Sequence, residues 1–182
     1  MKFSEIPQLL SAGTWECHYS LGSIAGVLEE WQAESGLQLN PDFQRGHVWT
    51  PQQQSRFMEY TLRGGRSGQV IYFNQPGWHL SVAAGAYNDL ICVDGLQRLT
   101  ALRGFVRNEV PAFGQRLADF GQPIRHARNS DSLVFNINNL QTRAEVLTWY
   151  LQMNAGGTPH TTAEIDRVQT LLDAELSPQP AA

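Results

Sequence analysis

Cysteine is scarce in this sequence. Cys17 and Cys92 are the two among 182 residues, too few and too far apart for a disulfide framework. No Cys/His spacing matches a structural zinc site, so a reducing compartment, the cytoplasm, is the expectation. Long apolar runs are missing as well: nowhere do about 18 apolar residues follow one another. The first ten residues hold one lysine and no signal-peptide core, so neither a membrane span nor secretion by that route is expected. A basic surplus is lacking too. Thirteen Lys and Arg face 17 Asp and Glu, a formal net charge of −4, which withholds the bulk electrostatic drive of non-specific nucleic-acid binders. What is present is an ordinary globular composition, 42% hydrophobic and 16% charged, with enough apolar residues to bury a core. No repeat or low-complexity segment interrupts it. One domain over residues 1–176 and a tail over 177–182 are expected.

Periodicity divides the chain into strands and helices. Ile24, Val27, Leu28 and Trp31 recur at spacings of three and four, which predicts a helix over residues 23–32. Alternation over residues 37–43 predicts a short strand running into a turn at Gln44-Arg45-Gly46. Thr50 before Pro51 is an N-cap with proline at the first helical position, opening a helix to about Arg63 that Gly64 and Gly65 end. Residues 69–74 (QVIYFN) and the continuous apolar run 90–93 (LICV) predict strands, separated by a Gly-rich loop over 76–88. Residues 111–132 read as irregular. A strand over 133–137 and helices over 142–152 and 162–172 complete an α+β pattern.

Chemistry concentrates where the 90–93 strand hands over to a helix at Asp94-Gly95-Leu96-Gln97-Arg98. A helix opening directly after Asp-Gly exposes its first unpaired N–H groups and its positive dipole end, which together suit an anion. On a helical projection Leu99, Leu102, Phe105 and Val106 span an apolar arc from about −20° to 100° relative to Arg98, which therefore lies inside it. Arg103 and Arg107 fall on the solvated side. A guanidinium among apolar neighbours needs a partner. Two readings follow: Asp94 caps the helix in a capping box with Gln97 while Arg98 pairs with Asp94, or Arg98 and the helix start hold a phosphate.

The run V-D-G-L-Q-R-L-T-A-L resembles the DGQQR signature of the family that includes the N-terminal domain of GmrSD-type restriction systems, within the ParB/sulfiredoxin superfamily. Pro41-Asp42-Phe43-Gln44-Arg45-Gly46-His47-Val48-Trp49 resembles that family's upstream P-x-F-Q-R…W box, and Met153-Asn154-Ala155-Gly156-Gly157-Thr158-Pro159 its N-x-G-G box. The resemblance implies a ParB/sulfiredoxin-like small mixed sheet flanked by helices, with additional C-terminal helices. It also implies an NTP with Mg²⁺ as cofactor. Carried over by position, Asp94, Gly95, Gln97, Arg98 and Thr100 form the nucleotide turn, Gln44 and Arg45 a second side, and Asn154, Gly156 and Gly157 a third. Asp94 and Arg98 are the expected catalytic pair, and Asp94 the expected metal ligand. Leu96 departs from the signature, standing where the family has its first Gln. It also stands where sulfiredoxins carry their reactive cysteine, which excludes that thiol chemistry. Cys92, inside an apolar strand, is expected to be a buried structural thiol.

The leading expectation is nucleotide binding, with NTP hydrolysis beyond it, in nucleic-acid processing or phage and host defence. A non-catalytic adaptor or inhibitor that binds DNA or a nuclease partner stands second, since 182 residues leave no room for the HNH-like domain of larger family members. A metal-dependent DNA-nicking nuclease stands third. His47 is read as a local hydrogen-bonder, Trp49 as a core anchor, and Arg116, Arg125, Arg128 and His126 as a locally basic loop.

Overall fold

The computed structural model describes residues 2–6, 9–10, 13, 15–78, 87–127, 133–154 and 162–177. Four strands form one mixed sheet: β1 (Trp15–Tyr19), β2 (Val70–Asn74), β3 (Ile91–Asp94) and β4 (Leu133–Asn138), in the order β1-β4-β2-β3. The outer pairs, β1 with β4 and β2 with β3, are antiparallel, and the central β2–β4 pair is parallel, aligning Ile71 with Phe135 and Phe73 with Ile137. Helices α1 (Ile24–Glu34), α2 (Pro51–Leu62), α3 (Leu96–Val106), α4 (Arg143–Asn154) and α5 (Thr162–Leu176) cover both faces. The expected α+β class with a small mixed sheet and added C-terminal helices is what the chain adopts.

Because strand side chains alternate between faces, the sheet supports two cores. Ile71, Phe73, Cys92, Leu133, Phe135 and Ile137 point to one side, where they meet Leu28 and Trp31 of α1, Met58 of α2 and Leu99, Leu102 and Phe105 of α3. The Trp31 ring lies 5.3 Å from Phe73 and 5.5 Å from Phe135 in edge-on contacts. Such aromatic pairs add to plain area burial. Ile91, Val93 and Tyr72 point to the other side, against Val146, Trp149 and Tyr150 of α4 and Val168 and Leu172 of α5.

Local signals place α2 as expected: the Thr50 hydroxyl accepts from the Gln53 N–H, and the Gln53 side chain accepts from the Thr50 N–H at 2.8 Å, a reciprocal capping box with Pro51 inside it. One expected strand is missing, one strand was not expected, and residues 111–127 are irregular as expected. The strand expected over residues 37–43 is a single bridge, Gln38 with Ile91. Pro41 has no N–H for a ladder, and the chain turns away at once, with the Gln44 N–H donating to the Pro41 carbonyl. Strand β1 escaped notice, although W-E-C-H-Y alternates, its odd members packing inward and Glu16 and His18 exposed. The irregular region begins with a bridge between Ala112 and Gln115 and holds two short 3₁₀ turns, Leu117–Phe120 and Ile124–His126. Arg128 lies outside the described residues, as do most of the Gly-rich loop and the tail beyond Ser177. Among the described residues no helix is long and apolar enough to cross a membrane.

Candidate functional site

Strand β3 is buried up to its last residue and then turns sharply. Gly95 has φ +121°, and a Cβ there would lie 2.7 Å from Cδ1 and 2.8 Å from Cγ2 of Ile71 on β2. Only glycine fits, because the conformation and the neighbour exclude a side chain together. Gly95, not Asp94, is the N-cap of α3, and among the described residues no side chain caps the helix. The Leu99 N–H is bonded to the Gly95 carbonyl at 2.8 Å. The three N–H groups before it, of Leu96, Gln97 and Arg98, have no carbonyl within the helix to bond.

The capping-box reading therefore fails for Gln97, whose side chain reaches across to the 46–49 loop. Its Oε1 accepts from the Val48 N–H at 2.9 Å and the Trp49 N–H at 3.0 Å, and its Nε2 donates to the Gly46 carbonyl at 2.7 Å. The pairing half of that reading holds. Arg98 is bonded to the Asp94 carboxylate, while its other terminal nitrogen donates to the Val70 and Gly68 carbonyls at 2.7 and 3.1 Å. These bonds compensate a guanidinium that is only 18% exposed and tie the start of β2 to α3.

Between this turn and the upstream box lies a cleft of about 380 Å³, lined by Gln44, Arg45 and Trp49 on one side, Asp94 to Arg98 below, and Tyr150, Met153 and Asn154 opposite. That volume suits a small ligand. Residues from all three boxes meet there. Gln44 stitches its wall to β3, its Nε2 donating to the Cys92 carbonyl at 2.5 Å and the Val93 carbonyl at 3.0 Å. Arg45, 37% exposed, stands 3.7 Å from Glu164 of α5. Asn154 lines the cleft while its amide donates to the Tyr150 carbonyl at 2.7 Å. Thr100 does not line it; its hydroxyl donates to the Leu96 carbonyl at 2.8 Å. Gly156 and Gly157 lie outside the described residues. Leu96 forms part of the wall and is nearly buried. His47 is bonded to Gln54 at 2.9 Å, the local role expected of it. Trp49 packs on Phe57 and also lines the cleft.

Electrostatically the cleft is mixed. Burial raises the Tyr150 hydroxyl above its ordinary pKa; Glu164 and Asp94 push the same way, and Arg45 and Arg167 oppose them. Cys92 is fully buried and its thiol pKa is raised by burial, as its position in the strand implied. Reasoning from the sequence missed the contribution of α5. Arg167 donates to the carbonyls of Asp42, Phe43 and Gln44, and Arg143 of α4 bonds Asp42 and Glu175, each at 2.6 Å. A signal existed: with Val168 at zero, Leu171, Leu172 and Ile165 span about −60° to 60°, and Glu164 falls near −40°, a carboxylate inside an apolar arc.

Fold and cleft together define an α+β domain whose cleft opens at a strand–turn–helix junction. The chain belongs to the family described as the GmrSD restriction endonuclease, N-terminal domain, which matches residues 28–132, more than half of its length. No curated protein and no solved structure matches it. The matched span contains the upstream box and the DGLQR turn and ends before α4 and α5.

Proposed function

We propose that this domain binds a nucleoside triphosphate, its phosphates seated on the first turn of α3, and serves nucleic-acid processing in restriction or defence. The observation that carries this reading is the uncapped turn facing the cleft. Three N–H groups at the positive end of a helix have no side-chain cap among the described residues, and glycine lets a ligand approach the backbone. Arg45, 37% exposed at the cleft and 3.7 Å from Glu164, supplies a positive charge. Arg98 holds Asp94 in place. Asp94, 47% exposed, is one carboxylate at the cleft, and Mg²⁺ is commonly held by one or two carboxylates plus the phosphates of its ligand. Among the described residues no three acidic, His or Cys side chains gather into a preformed metal cage, so phosphates would complete such a site. The ion would offset phosphate charge. DNA or a nuclease partner would act downstream of binding.

Titration calorimetry with ATP, GTP, CTP and UTP in Mg²⁺ tests the reading. Binding by the wild type, weakened at least tenfold by Arg45→Ala, is expected; no binding of any of the four overturns it. A second reading, binding without turnover, is favoured by Leu96, an apolar wall residue that cannot orient an attacking water. Phosphate release by the wild type above that of Asp94→Ala would refute this second reading.

A further inference from the structure

Helix α5 lies beyond the residues matched by the family, yet it holds the loop that forms one wall of the cleft. The Arg167 guanidinium gathers three consecutive carbonyls: Nη1 donates to Asp42 at 2.9 Å, and Nη2 to Phe43 at 2.8 Å and Gln44 at 2.9 Å. Loop carbonyls can be served by water at little cost, so such convergence on one rigid fork chiefly fixes conformation. Other groups anchor the first half of the loop. Phe43 is buried against Tyr150, ring centroids 5.1 Å apart, and the Asp42 carboxylate is bonded to Arg143. Gln97 anchors the far end at Gly46, Val48 and Trp49. The stretch between, Gln44 and Arg45, lines the cleft; the Gln44 amide is tied to the Cys92 and Val93 carbonyls and Arg45 stands beside Glu164, while Arg167 is the side chain bonded to the backbone of this stretch.

We propose that Arg167 is a positioning residue of the cleft: by fixing the 42–44 backbone it sets where Gln44 and Arg45 stand, and so makes α5 an integral part of the ligand site. Its effect on a ligand rests on the phosphate-binding reading above; its effect on the loop does not. The remaining anchors keep the domain folded without Arg167, so its loss acts locally. Lysine, a point donor on a flexible stem, reproduces the fork only in part.

Residue-resolved amide exchange on the full chain, without ligand, reads the loop directly, because the Gln44 N–H is bonded to Pro41 at 3.0 Å. In Arg167→Gln the Gln44 amide is expected to exchange at least tenfold faster, while Val48, Trp49 and α3 keep their protection; Arg167→Lys falls between. Affinity for the tightest of the four Mg²⁺-nucleotides should fall about tenfold in Arg167→Gln and less in Arg167→Lys. Unchanged exchange at Gln44, or acceleration spread evenly over the domain, overturns the proposal, and so does a mobile loop that binds nucleotide as tightly as the wild type. A wild type that binds no nucleotide overturns the assigned function and the ligand arm together, while the exchange arm still decides the loop.

Discussion

Replacing Gln97 by alanine removes three hydrogen bonds between the first turn of α3 and the 46–49 loop. At roughly 0.5–1.5 kcal/mol each, the ceiling is about 1.5–4.5 kcal/mol. Val48 is half exposed, so water takes over part of the loss. The expected destabilisation is about 2 kcal/mol, or about 4–8 °C in Tm for a domain of this size. Alanine is the better helix former by a few tenths of a kcal/mol, so a loss of this size cannot come from α3 itself. Urea unfolding followed by tryptophan fluorescence gives the magnitude, and amide exchange at Val48 and Trp49 gives its place. Gln97→Glu keeps the acceptor but sets a carboxylate oxygen against the Gly46 carbonyl, and should lose stability as well. A loss below about 0.5 kcal/mol in Gln97→Ala, or unchanged protection of those two amides, refutes the clamp.

Gly95→Ala should cost about 3 kcal/mol, from backbone strain and from the clash with Ile71; the combination with Ile71→Val should recover part of it, and denaturant melts of the single and double variants check this. Cys92 should resist aromatic-disulfide reagents at pH 8 in the folded protein and react fully in denaturant, because burial both shields the thiol and raises its pKa; rapid native labelling would contradict the buried strand. The Tyr150 pKa is raised on folding from its ordinary value of 10.0, so between the two values the folded state holds the proton more tightly than the unfolded chain. Its stabilising contribution is full below pH 10 and declines as pH rises above it. Tyr150→Phe should therefore flatten the loss of stability above pH 10, measured as urea midpoints across that range.

The DGLQR turn illustrates how far local chemistry reaches. Its strand and its helix are nearest-neighbour effects, and so are the Thr50–Gln53 cap and the inward side of α3, because each depends on residues within one or two turns; its glycine answers also to Ile71 on β2. The placement of Arg98 on an apolar arc announced that it needed a partner, and Asp94, one turn away, is that partner. The same projection carried the signal of Glu164. The alternation in β1 was equally legible in its residues.

Other features had no local signature. Residues 37–43 alternate like a strand, yet only Gln38 joins β3, and the carbonyls of Asp42 to Gln44 find a guanidinium 123–125 residues away instead of a ladder. Gln97 suited a capping box by type and spacing, and only the arrival of the 46–49 loop gave its amide a better set of partners. The residues alone yielded the helices α1 to α5, the strands β2 to β4, the Thr50–Gln53 cap and membership among the family's N-terminal domains, but not β1, the break of the 37–43 segment or the Gly95 start of α3. Tertiary structure alone decided that the boxes share one cleft, that Arg98 is tied to β2, and that α5 holds the wall, because polar side chains choose partners by proximity, which the fold creates.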